Sequence, residues 1–327
     1  MRLSPTVSVI IPTYQRCSSV VRALRALARQ TLFPDRFEVI VSIDGSSDGT
    51  RQMVNQFPAP FDLRCVWQPN RGRAAACNVG ILAATGQVLV LLDDDMEPAS
   101  GFLAAHAQAH PDGSRLGVLG AAPVVVDGAS PPVVEYIASR FHRHLEKLAQ
   151  PAHRIGIRDF YTGNFSIRRE ILLEVGLFDE GFKVYGNEDG ELAIRLLAAG
   201  VQLVYNSEAC AGQYYEKDFA ALVRDKMAQG RTSVACALRH PESIPSLRIG
   251  TYRQASRKWR LLRSVLLAAS RSLRFLPNWV IYYVKWLEHR RSPSLQSRYH
   301  LALDYFYWLG VRSALQEDPG AVSRLAL

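Results

Sequence analysis

Short apolar runs alternate with helix-like segments along the first third of the chain, and this alternation strongly constrains the fold. The runs are rich in Val, Ile and Leu and span residues 7–11, 38–43, 63–67 and 87–92. The segment between the first two runs places Val20, Leu24 and Leu27 on one face, as a crossover helix would. Residues 73–84 form a similar segment later. Strands that alternate with helices pair in parallel, so the sequence predicts an α/β fold with a mostly parallel central sheet flanked by helices.

The first two runs end in residues suited to a nucleoside. Ligands of parallel sheets bind beyond the carboxyl ends of the strands, so the polar residues there are the candidates. The first run ends in Pro12-Thr13-Tyr14, and the Tyr14 ring can lie on a nucleobase or simply pack. Asp44 follows the second run, and its carboxylate can accept a base N–H or a ribose hydroxyl. A turn or cap role is the alternative for Asp44.

The segment after the first run excludes two other nucleotide-binding folds. A dinucleotide fold needs G-x-G-x-x-G at this point, whereas the chain has Pro12-Thr13-Tyr14-Gln15-Arg16-Cys17. A sugar nucleotidyltransferase needs a glycine-rich, basic phosphate loop in the same place, and none is present. We therefore expect neither a nicotinamide cofactor nor nucleotidyl transfer.

Two arginines follow the third run, in Asn70-Arg71-Gly72-Arg73, and open a helix of small residues that leads to Asn78. Free N–H groups, the helix dipole and guanidinium groups together favour phosphate at a helix start. The alternative is that Arg71 and Arg73 are ordinary surface arginines.

Three aspartates, Asp93-Asp94-Asp95, follow the fourth run directly. Adjacent carboxylates at a buried strand end repel one another unless a cation neutralises them. Oxygen ligands select a hard ion, so the triplet predicts a Mn²⁺ or Mg²⁺ site. A solvated acidic turn is the alternative.

The pattern loosens after residue 120, with a loop expected at 127–132 and an amphipathic helix at 133–148. A second organised block contains a helix over 189–199 and a strand over 201–205. Glu188 and Asp189 open that helix. Asp189 is interpreted as a general base for an attacking hydroxyl, with a helix cap as the alternative.

Taken in order, these motifs resemble those of the family-2 inverting glycosyltransferases with the GT-A fold, the nucleotide-diphospho-sugar transferase fold. The resemblance covers residues 7 to about 240. The matching segments are Val7-Ser8-Val9-Ile10-Ile11-Pro12-Thr13-Tyr14, Asp44-Gly45-Ser46-Ser47-Asp48-Gly49-Thr50, Asn70-Arg71-Gly72-Arg73 with Asn78, Asp93-Asp94-Asp95, Gly163-Asn164, Gly176-Leu177-Phe178-Asp179 and Glu188-Asp189.

The resemblance implies a role for each candidate residue. Asp93 and Asp95 would form the D-x-D element that holds the metal, and Asp94 would lie near the ribose or donor sugar. Asp189 would be the catalytic base, with Glu188 binding the acceptor. The donor-binding set comprises Pro12, Thr13, Tyr14, Arg16, Asp44, Arg71, Arg73, Asn78, Asp93 and Asp94, with Tyr14 and Asp44 at the nucleobase and Arg71 or Arg73 near the phosphates.

The implied function is an inverting, metal-dependent, hexosyltransferase-like enzyme that moves a sugar from a nucleotide sugar to an acceptor hydroxyl. A UDP-sugar is the favoured donor, and the acceptor would be a carbohydrate or a lipid-linked molecule in cell-surface polysaccharide or glycolipid synthesis. The alternative is a catalytically degenerate sugar-binding or scaffold protein on the same fold.

Two positions depart from the family pattern. Ile43 stands where many members carry a first aspartate before Asp-Gly-Ser, so the nucleobase preference is not fixed by the motif. Gln213 stands where many relatives place a histidine that completes the metal shell. Because a neutral amide is a weaker ligand, the aspartates and the donor diphosphate would hold most of the ion.

The motifs and the charge along the chain divide it into three predicted regions, and its cysteines indicate a reducing compartment. We predict a nucleotide-sugar half at residues 1–120, an acceptor half at 121–245, and a helical carboxyl-terminal extension at 246–327. The five cysteines are scattered and never spaced as CxxC, which disfavours disulfides or a zinc site. No apolar stretch with a small-residue cleavage site precedes the first run, so a cytoplasmic location is expected.

The excess of positive over negative charge is confined to the last quarter of the chain. Residues 248–327 carry 14 Lys and Arg against 4 Asp and Glu, whereas residues 1–247 carry 25 and 26. Nucleic acid is not expected as a partner, because no RNA- or DNA-binding motif occurs. Residues 256–287 predict a basic amphipathic helix, broken at Pro277 and followed by aromatic residues.

That carboxyl-terminal helix would dock on the inner face of an anionic membrane without crossing it. The predicted apolar face comprises Leu262, Val265, Leu266, Ala269, Leu273 and Leu276, and the predicted basic face comprises Arg257, Arg260, Arg263, Arg271 and Arg274. Packing of the apolar stripe on the rest of the chain is the alternative.

Overall fold

The computed structural model describes residues 6–252 and 254–325. The expectation that no cleavable apolar segment precedes the first run concerns residues 1–5, which lie outside the described residues. The chain forms two compact units. The first comprises the residues up to Val125, Phe141–Lys183 and Glu188–Tyr215, and the second comprises Val126–Arg140, Val184–Asn187 and the residues from Glu216 on. The three predicted regions, bounded near residues 120 and 245, stay a prediction.

The strands all lie in the first unit. They are β1 (Val7–Thr13), β2 (Phe37–Asp44), β3 (Asp62–Gln68), β4 (Val88–Leu92), β5 (Met96–Pro98), β6 (Leu116–Gly120), β7 (Asn164–Arg168), β8 (Gln202–Asn206) and β9 (Ala211–Gln213). The main sheet has the order β3-β2-β1-β4-β7-β6-β8, and β5 pairs with β9 in a small ribbon. Within the described residues β7 is antiparallel to both its neighbours, while the other pairings of the main sheet are parallel. The predicted mostly parallel sheet is confirmed.

Alternate residues of each strand face opposite sides of the sheet, so the core has two halves. Val7, Val9 and Ile11 of β1 join one buried cluster, while Ile10 joins the other. The helices α1 (Cys17–Leu27), α2 (Thr50–Gln56), α3 (Arg73–Ala83), α4 (Phe102–Gln108), α5 (Pro132–Leu148), α6 (Arg169–Val175) and α7 (Glu188–Ala198) lie between or after the strands. From Phe141 on, α5 belongs to the first unit, and its earlier residues belong to the second.

The second unit is helical. Besides the start of α5, it holds α8 (Phe219–Arg239), α9 (Arg257–Ser272), α10 (Leu276–His289), α11 (Leu295–Glu317) and α12 (Gly320–Leu325). α8 and α11 pack closely: a Cβ added at Gly230 would lie 2.0 Å from the Tyr307 carbonyl oxygen, and one added at Gly310 would lie 2.1 Å from that of Met227. Only glycine permits this backbone approach.

The structure confirms most predicted elements, including the helix near 133–148, and adds β6 and β7, which pattern alone did not indicate. Cys77 and Cys236 are buried, and Cys17, Cys65 and Cys210 are partly buried. The predicted helix break occurs at Leu273–Phe275, and Pro277 lies in the first turn of α10, where proline is tolerated. The predicted basic face of α9 is wrong at Arg263, which is buried. Among the described helices, none combines the length and apolarity that crossing a bilayer requires.

Candidate active site

The carboxyl ends of β1 and β4 lie side by side and bring predicted donor-binding and metal-binding residues together. Pro12 and Thr13 are the last residues of β1, and Thr13 Oγ1 donates to Asp94 Oδ2 at 2.7 Å. The Arg16 guanidinium lies 3.7 Å from Asp94 and 3.5 Å from Asp95. Burial raises the pKa of Asp94 to about 7, although Arg16 and the Thr13 hydrogen bond oppose the shift.

Asp44 ends β2 and is buried. Its Oδ1 accepts hydrogen bonds from Gln68 Nε2 at 2.7 Å and from the Arg71 N–H at 2.9 Å. Its Oδ2 accepts one from the Gly72 N–H at 2.8 Å. A carboxylate has about four lone-pair sites, so Asp44 fixes the loop before α3 and keeps capacity for one more donor. Its nucleobase role stays a prediction.

The loops that follow β1 and β2 are tied together beside Asp44. The Gln15 N–H donates to Ser46 Oγ at 2.8 Å, and the Cys17 N–H donates to Asp48 Oδ2 at 2.9 Å. Tyr14, the residue before the first of these contacts, is 51% exposed. The paired loops therefore leave an aromatic face accessible at the sheet edge, as nucleobase stacking needs.

Arg73 connects the acidic triplet with the acidic pair of α7. Its Nη2 donates to Asp93 Oδ1 at 2.7 Å, and its Nη1 donates to Asp189 Oδ1 at 3.1 Å. Glu188 Oε1 lies 3.8 Å from the same Nη1. Burial lowers the pKa of Arg73, but Asp93, Asp189 and Glu188 raise it well above its ordinary value. The guanidinium is therefore a fixed positive charge between carboxylates that lie far apart in the sequence.

The segment that leads into the antiparallel strand β7 contributes one residue, Thr162, that sequence reasoning missed. Asn164, the first residue of β7, pairs with Leu92, so the amino end of β7 lies at the same sheet edge as the carboxyl end of β4. Thr162 Oγ1, just before β7, donates to Asp189 Oδ1 at 2.5 Å and accepts from Arg73 Nη2 at 3.0 Å. The position of Thr162 directly before the Gly163-Asn164 motif was the sequence signal that could have identified it.

Behind β7 lies a chain of buried polar groups. Asn164 Oδ1 lies 2.9 Å from His106 Nε2, His106 Nδ1 lies 2.7 Å from Ser166 Oγ, and Ser166 Oγ lies 2.8 Å from His110 Nε2. Each contact is satisfied when both imidazoles are neutral and carry the proton on Nε2. Burial lowers the pKa of both His106 and His110 to about 4, which keeps them neutral.

The residues at this edge fit a hard divalent ion. Asp93 and Asp95 offer carboxylate oxygens, which Mg²⁺ and Mn²⁺ prefer. Gln213 Nε2 lies 3.4 Å from Asp95 Oδ1, so the amide that replaces the expected histidine is next to one candidate ligand. Within residues 6–252 and 254–325, no group of three or more His, Cys, Asp or Glu side chains is arranged to hold a metal ion. Among the described residues, the protein therefore offers few metal ligands at this edge, and those of Asp93 and Asp95 are carboxylate oxygens.

Two predicted donor-binding residues contact the segment that follows α6 instead of the acidic triplet. Asn78 Nδ2 donates to the Phe178 carbonyl at 3.0 Å, and Asn78 Oδ1 accepts from the Phe178 N–H at 2.9 Å. Arg71 Nη2 donates to Glu180 Oε2 at 2.6 Å, with both side chains exposed. Asn78 thus anchors the Gly176-Leu177-Phe178-Asp179 motif, and the donor-binding roles of Asn78 and Arg71 stay predictions.

Comparison of the sequence with known proteins matches it to a family. The model of glycosyl transferase family 2 matches residues 8–176, and a model described as the N-terminal domain of galactosyltransferase matches residues 142–217. A validoxylamine A glucosyltransferase of Streptomyces hygroscopicus subsp. limoneus is 30% identical over 280 residues, covering 74% of this chain and 58% of the relative. The uncharacterized glycosyltransferase YfnE of Bacillus subtilis is 29% identical, covering 59% and 61%. The chain thus spans about three fifths of these relatives.

Solved structures share the fold at lower identity. The mannosyltransferase PcManGT of Pyrobaculum calidifontis, in complex with GDP-Man and Mn²⁺, superposes with a TM-score of 0.62 at 22% identity, covering 94% of this chain and 88% of that one. TarS 1–349 of S. aureus in complex with UDP gives 0.53 at 17% identity, covering 95% and 92%. The family model spans more than half of the chain, and the sheet carries the family's motifs at one edge. The chain therefore belongs to glycosyl transferase family 2 and has the GT-A fold.

Proposed function

We propose that the protein is an inverting glycosyltransferase that moves a sugar from a nucleotide sugar, most simply a UDP-sugar, to an acceptor hydroxyl. The position of Arg73 carries the proposal, because one guanidinium contacts Asp93 at 2.7 Å and Asp189 at 3.1 Å. The acid expected to face the donor diphosphate and the acid expected to face the acceptor are thus held on either side of one planar group.

The chemistry is a single displacement in which Asp189 accepts the proton of the acceptor hydroxyl. The acceptor oxygen bonds to the anomeric carbon as the bond from that carbon to the diphosphate oxygen breaks, with the electron pair leaving on the diphosphate. Attack opposite to the leaving group inverts the anomeric configuration. Thr162 donates to Asp189 at 2.5 Å and fixes the carboxylate. Glu188, buried beside it, is assigned to acceptor binding.

Asp93 and Asp95 would hold Mn²⁺ or Mg²⁺, with Gln213 beside Asp95. When bound, such an ion stabilises negative charge on a departing diphosphate. Arg16, within 4 Å of Asp94 and Asp95, offsets the repulsion within the triplet. Mn²⁺ in PcManGT supports the metal, and GDP-Man there and UDP in TarS support a nucleotide-sugar donor.

The acceptor is proposed to be a carbohydrate or lipid-linked molecule in cell-surface polysaccharide or glycolipid synthesis, made on the cytoplasmic side of the membrane. The chondroitin synthase of Escherichia coli, 25% identical over 234 residues, supports a polysaccharide product. A degenerate sugar-binding or scaffold protein is the second candidate. It is disfavoured because Asp95 and Asp189 are both present and Asp189 is held by two donors.

A panel of nucleotide sugars tests the proposal by thermal stabilisation, with and without Mn²⁺. We expect one donor class to raise the melting temperature, more so with Mn²⁺, and Asp95→Ala to abolish the gain from Mn²⁺. Asp35→Ala, an exposed acid in the same unit, is the matched control and should behave as wild type.

The anomeric configuration of the transfer product, measured by NMR, then tests inversion. A retained configuration contradicts the single displacement. Metal-dependent stabilisation that survives unchanged in Asp95→Ala contradicts the assignment of Asp95 as a metal ligand. No donor-dependent hydrolysis or transfer at all favours the scaffold alternative.

A further inference from the structure

At its centre, helix α9 departs from the burial expected for an amphipathic helix of a globular protein, because it buries an arginine and exposes apolar side chains. Such helices turn apolar residues inward and charged residues outward. In α9 the buried side chain is Arg263, 2% exposed, whereas Leu261 is 68% and Val265 is 54% exposed. Leu262, also on the predicted apolar face, is exposed too. The packing alternative therefore fails for Leu262 and Val265 of the predicted apolar face, whereas Leu266 and Ala269 are partly buried.

Contacts of Arg263 fix the rotation of α9 about its own axis. Its Nη1 donates to Asp304 Oδ2 at 3.1 Å, and its Nη2 donates to the Tyr252 carbonyl at 2.7 Å. The guanidinium carbon also lies 4.1 Å from the Tyr252 ring centroid and 5.0 Å from that of Trp308. Turning α9 to expose Arg263 would break its contacts with Asp304, Tyr252 and Trp308, so these contacts hold the helix with Leu261, Leu262 and Val265 outward.

Helix α10 continues the exposed apolar surface with aromatic residues. Phe275, Trp279, Tyr282 and Trp286 follow one another at spacings of four, three and four, which places them on one helix face. All four are exposed, and Trp279 and Tyr282 are 55% and 74% exposed. Tryptophan and tyrosine are the residues that accumulate at membrane interfaces, because their rings are apolar and their N–H and O–H groups are polar.

The charges around these residues are almost all positive. Residues 257–291 include nine Lys and Arg but one acid, Glu288. Glu288 is half-buried and accepts a hydrogen bond from the Tyr299 hydroxyl at 2.5 Å. The exposed basic residues of α9 and the following turn are Arg257, Lys258, Arg271 and Arg274. The surface therefore combines apolar side chains with a basic rim and matches an anionic occupant.

We propose that the exposed faces of α9 and α10, called here the interfacial surface, dock on an anionic lipid bilayer. The interfacial surface comprises Leu261, Leu262, Val265, Phe275, Trp279, Tyr282 and Trp286 with the basic rim of Arg257, Lys258, Arg271 and Arg274. Apolar side chains enter the headgroup boundary while arginines and lysines contact lipid phosphates. Arg263 belongs to the anchor of α9 and not to this surface.

Co-sedimentation of the full chain with vesicles tests the interfacial surface. Vesicles of phosphatidylcholine mixed with phosphatidylglycerol should bind the protein at low salt and release most of it at high salt, while phosphatidylcholine alone should bind weakly. The variant Trp279→Gln with Trp286→Gln should lose most binding. Phe33→Gln, an exposed aromatic residue of the first unit, is the matched control and should bind as wild type.

The rim is tested separately by Arg271→Gln with Arg274→Gln. At about 1 kcal/mol for each basic side chain near an anionic surface, the partition coefficient should fall by roughly thirtyfold. The exposed pair Arg25→Gln with Arg51→Gln is the control of equal charge. Circular dichroism checks that each variant is folded, so that lost binding is not lost structure.

Three outcomes overturn the interfacial surface. The intact protein fails to bind anionic vesicles at low salt, or the tryptophan pair and the rim pair leave binding unchanged. Alternatively, light scattering shows a wild-type dimer that the tryptophan pair converts to a monomer, with vesicle binding unaffected, and the occupant is then a second copy of the chain. Vesicle binding is measured without donor or acceptor, so its failure is separate from a failure of glycosyl transfer.

Discussion

The Asp189 carboxylate accepts hydrogen bonds from Arg73 and Thr162 on the same oxygen, Oδ1. In the proposed mechanism, Oδ2 then accepts the proton of the acceptor hydroxyl. Asp189→Asn keeps the shape and both neighbours but removes the basic oxygen. We expect kcat to fall by about two to four powers of ten, with donor affinity unchanged. Donor affinity is measured by calorimetry and kcat by product formation, and Asp35→Asn serves as control.

Transfer by Asp189→Asn at nearly the wild-type rate would return Asp189 to the role of a helix cap. A loss of donor affinity equal to the loss of rate would instead assign the carboxylate to donor binding.

The planar guanidinium of Arg73 donates hydrogen bonds to Asp93, Asp189 and Thr162 at once. The effect of its shape can therefore be tested separately from that of its charge. A lysine keeps the charge but presents one compact ammonium and cannot hold both carboxylates in the same way. Arg73→Lys should therefore lower kcat by about tenfold or more while KM for the donor changes less. Lys183→Arg, an exposed change in the first unit, is the control. Equal activity in Arg73→Lys would show that charge alone is sufficient.

Much of this site follows from short sequence segments, but the pairing of its residues does not. The acidic triplet was recognisable because it follows an apolar run directly, and the acidic pair because it opens a helix. Arg73 was predicted to face phosphate, and the structure adds its contacts with Asp93 and Asp189. Arg73 and Asp189 are 116 positions apart, so only the folded sheet brings them together.

At the level of secondary structure, β7 shows why part of the sheet escaped prediction. β1, β2 and β4 are mostly apolar and buried throughout, as central strands of parallel sheets are. β7 instead alternates, with Asn164 and Ser166 contacting buried histidines and Phe165 and Ile167 in the core. Its polar residues are satisfied only by tertiary contacts. A pattern judged on hydrophobicity alone therefore assigns such a segment to a loop.

The histidines behind β7 predict a loss of stability in acid. The pKa of His110 falls from 6.5 to about 4 on burial, so between those values the unfolded chain binds the additional proton. Stability is then complete above the unfolded pKa and falls as pH decreases toward 4. Each histidine accounts for a loss on the order of 3 kcal/mol across this range. Urea unfolding at pH 7 and pH 5 should show a lower midpoint at pH 5.

Substitution identifies the groups responsible. His110→Gln keeps a polar atom near the position of Nε2 and removes the titration, so the dependence of the midpoint on pH should become shallower. His142→Gln removes an exposed histidine of the same unit and should leave the slope unchanged. Identical slopes in wild type and His110→Gln would show that the buried histidines are not the acid-sensitive groups.

At the level of the whole molecule, sequence composition located the chain's positive excess but not its second structural unit. The helical, basic character of the last quarter was predicted and is observed. That α8 joins those helices was not predicted, because the decisive features are single glycines inside two long helices. Glycine in a helix interior ordinarily lowers helix stability by about 1 kcal/mol relative to alanine. Its favourable effect on helix packing can be recognised only when the position of the partner backbone is known.

The contact between α8 and α11 gives the last prediction. A Cβ at position 230 would lie 2.0 Å from the Tyr307 carbonyl and 2.9 Å from the Val311 nitrogen, so the two helices must separate. Gly230→Ala should therefore lower the free energy of unfolding by about 1–3 kcal/mol, against the helix propensity of alanine. Gly101→Ala, with no atom within 4 Å of its added Cβ, is the control and should be nearly neutral.

Urea unfolding followed by tryptophan fluorescence measures this effect, because four of the five tryptophans lie in the second unit: Trp259, Trp279, Trp286 and Trp308. The Gly230→Ala transition should move to lower urea while that of Gly101→Ala does not. An unchanged or raised midpoint in Gly230→Ala would mean that α8 and α11 pack farther apart than described. The second unit would then owe its stability to the aromatic core of α11, including Tyr299, Tyr305 and Phe306, and not to backbone contact.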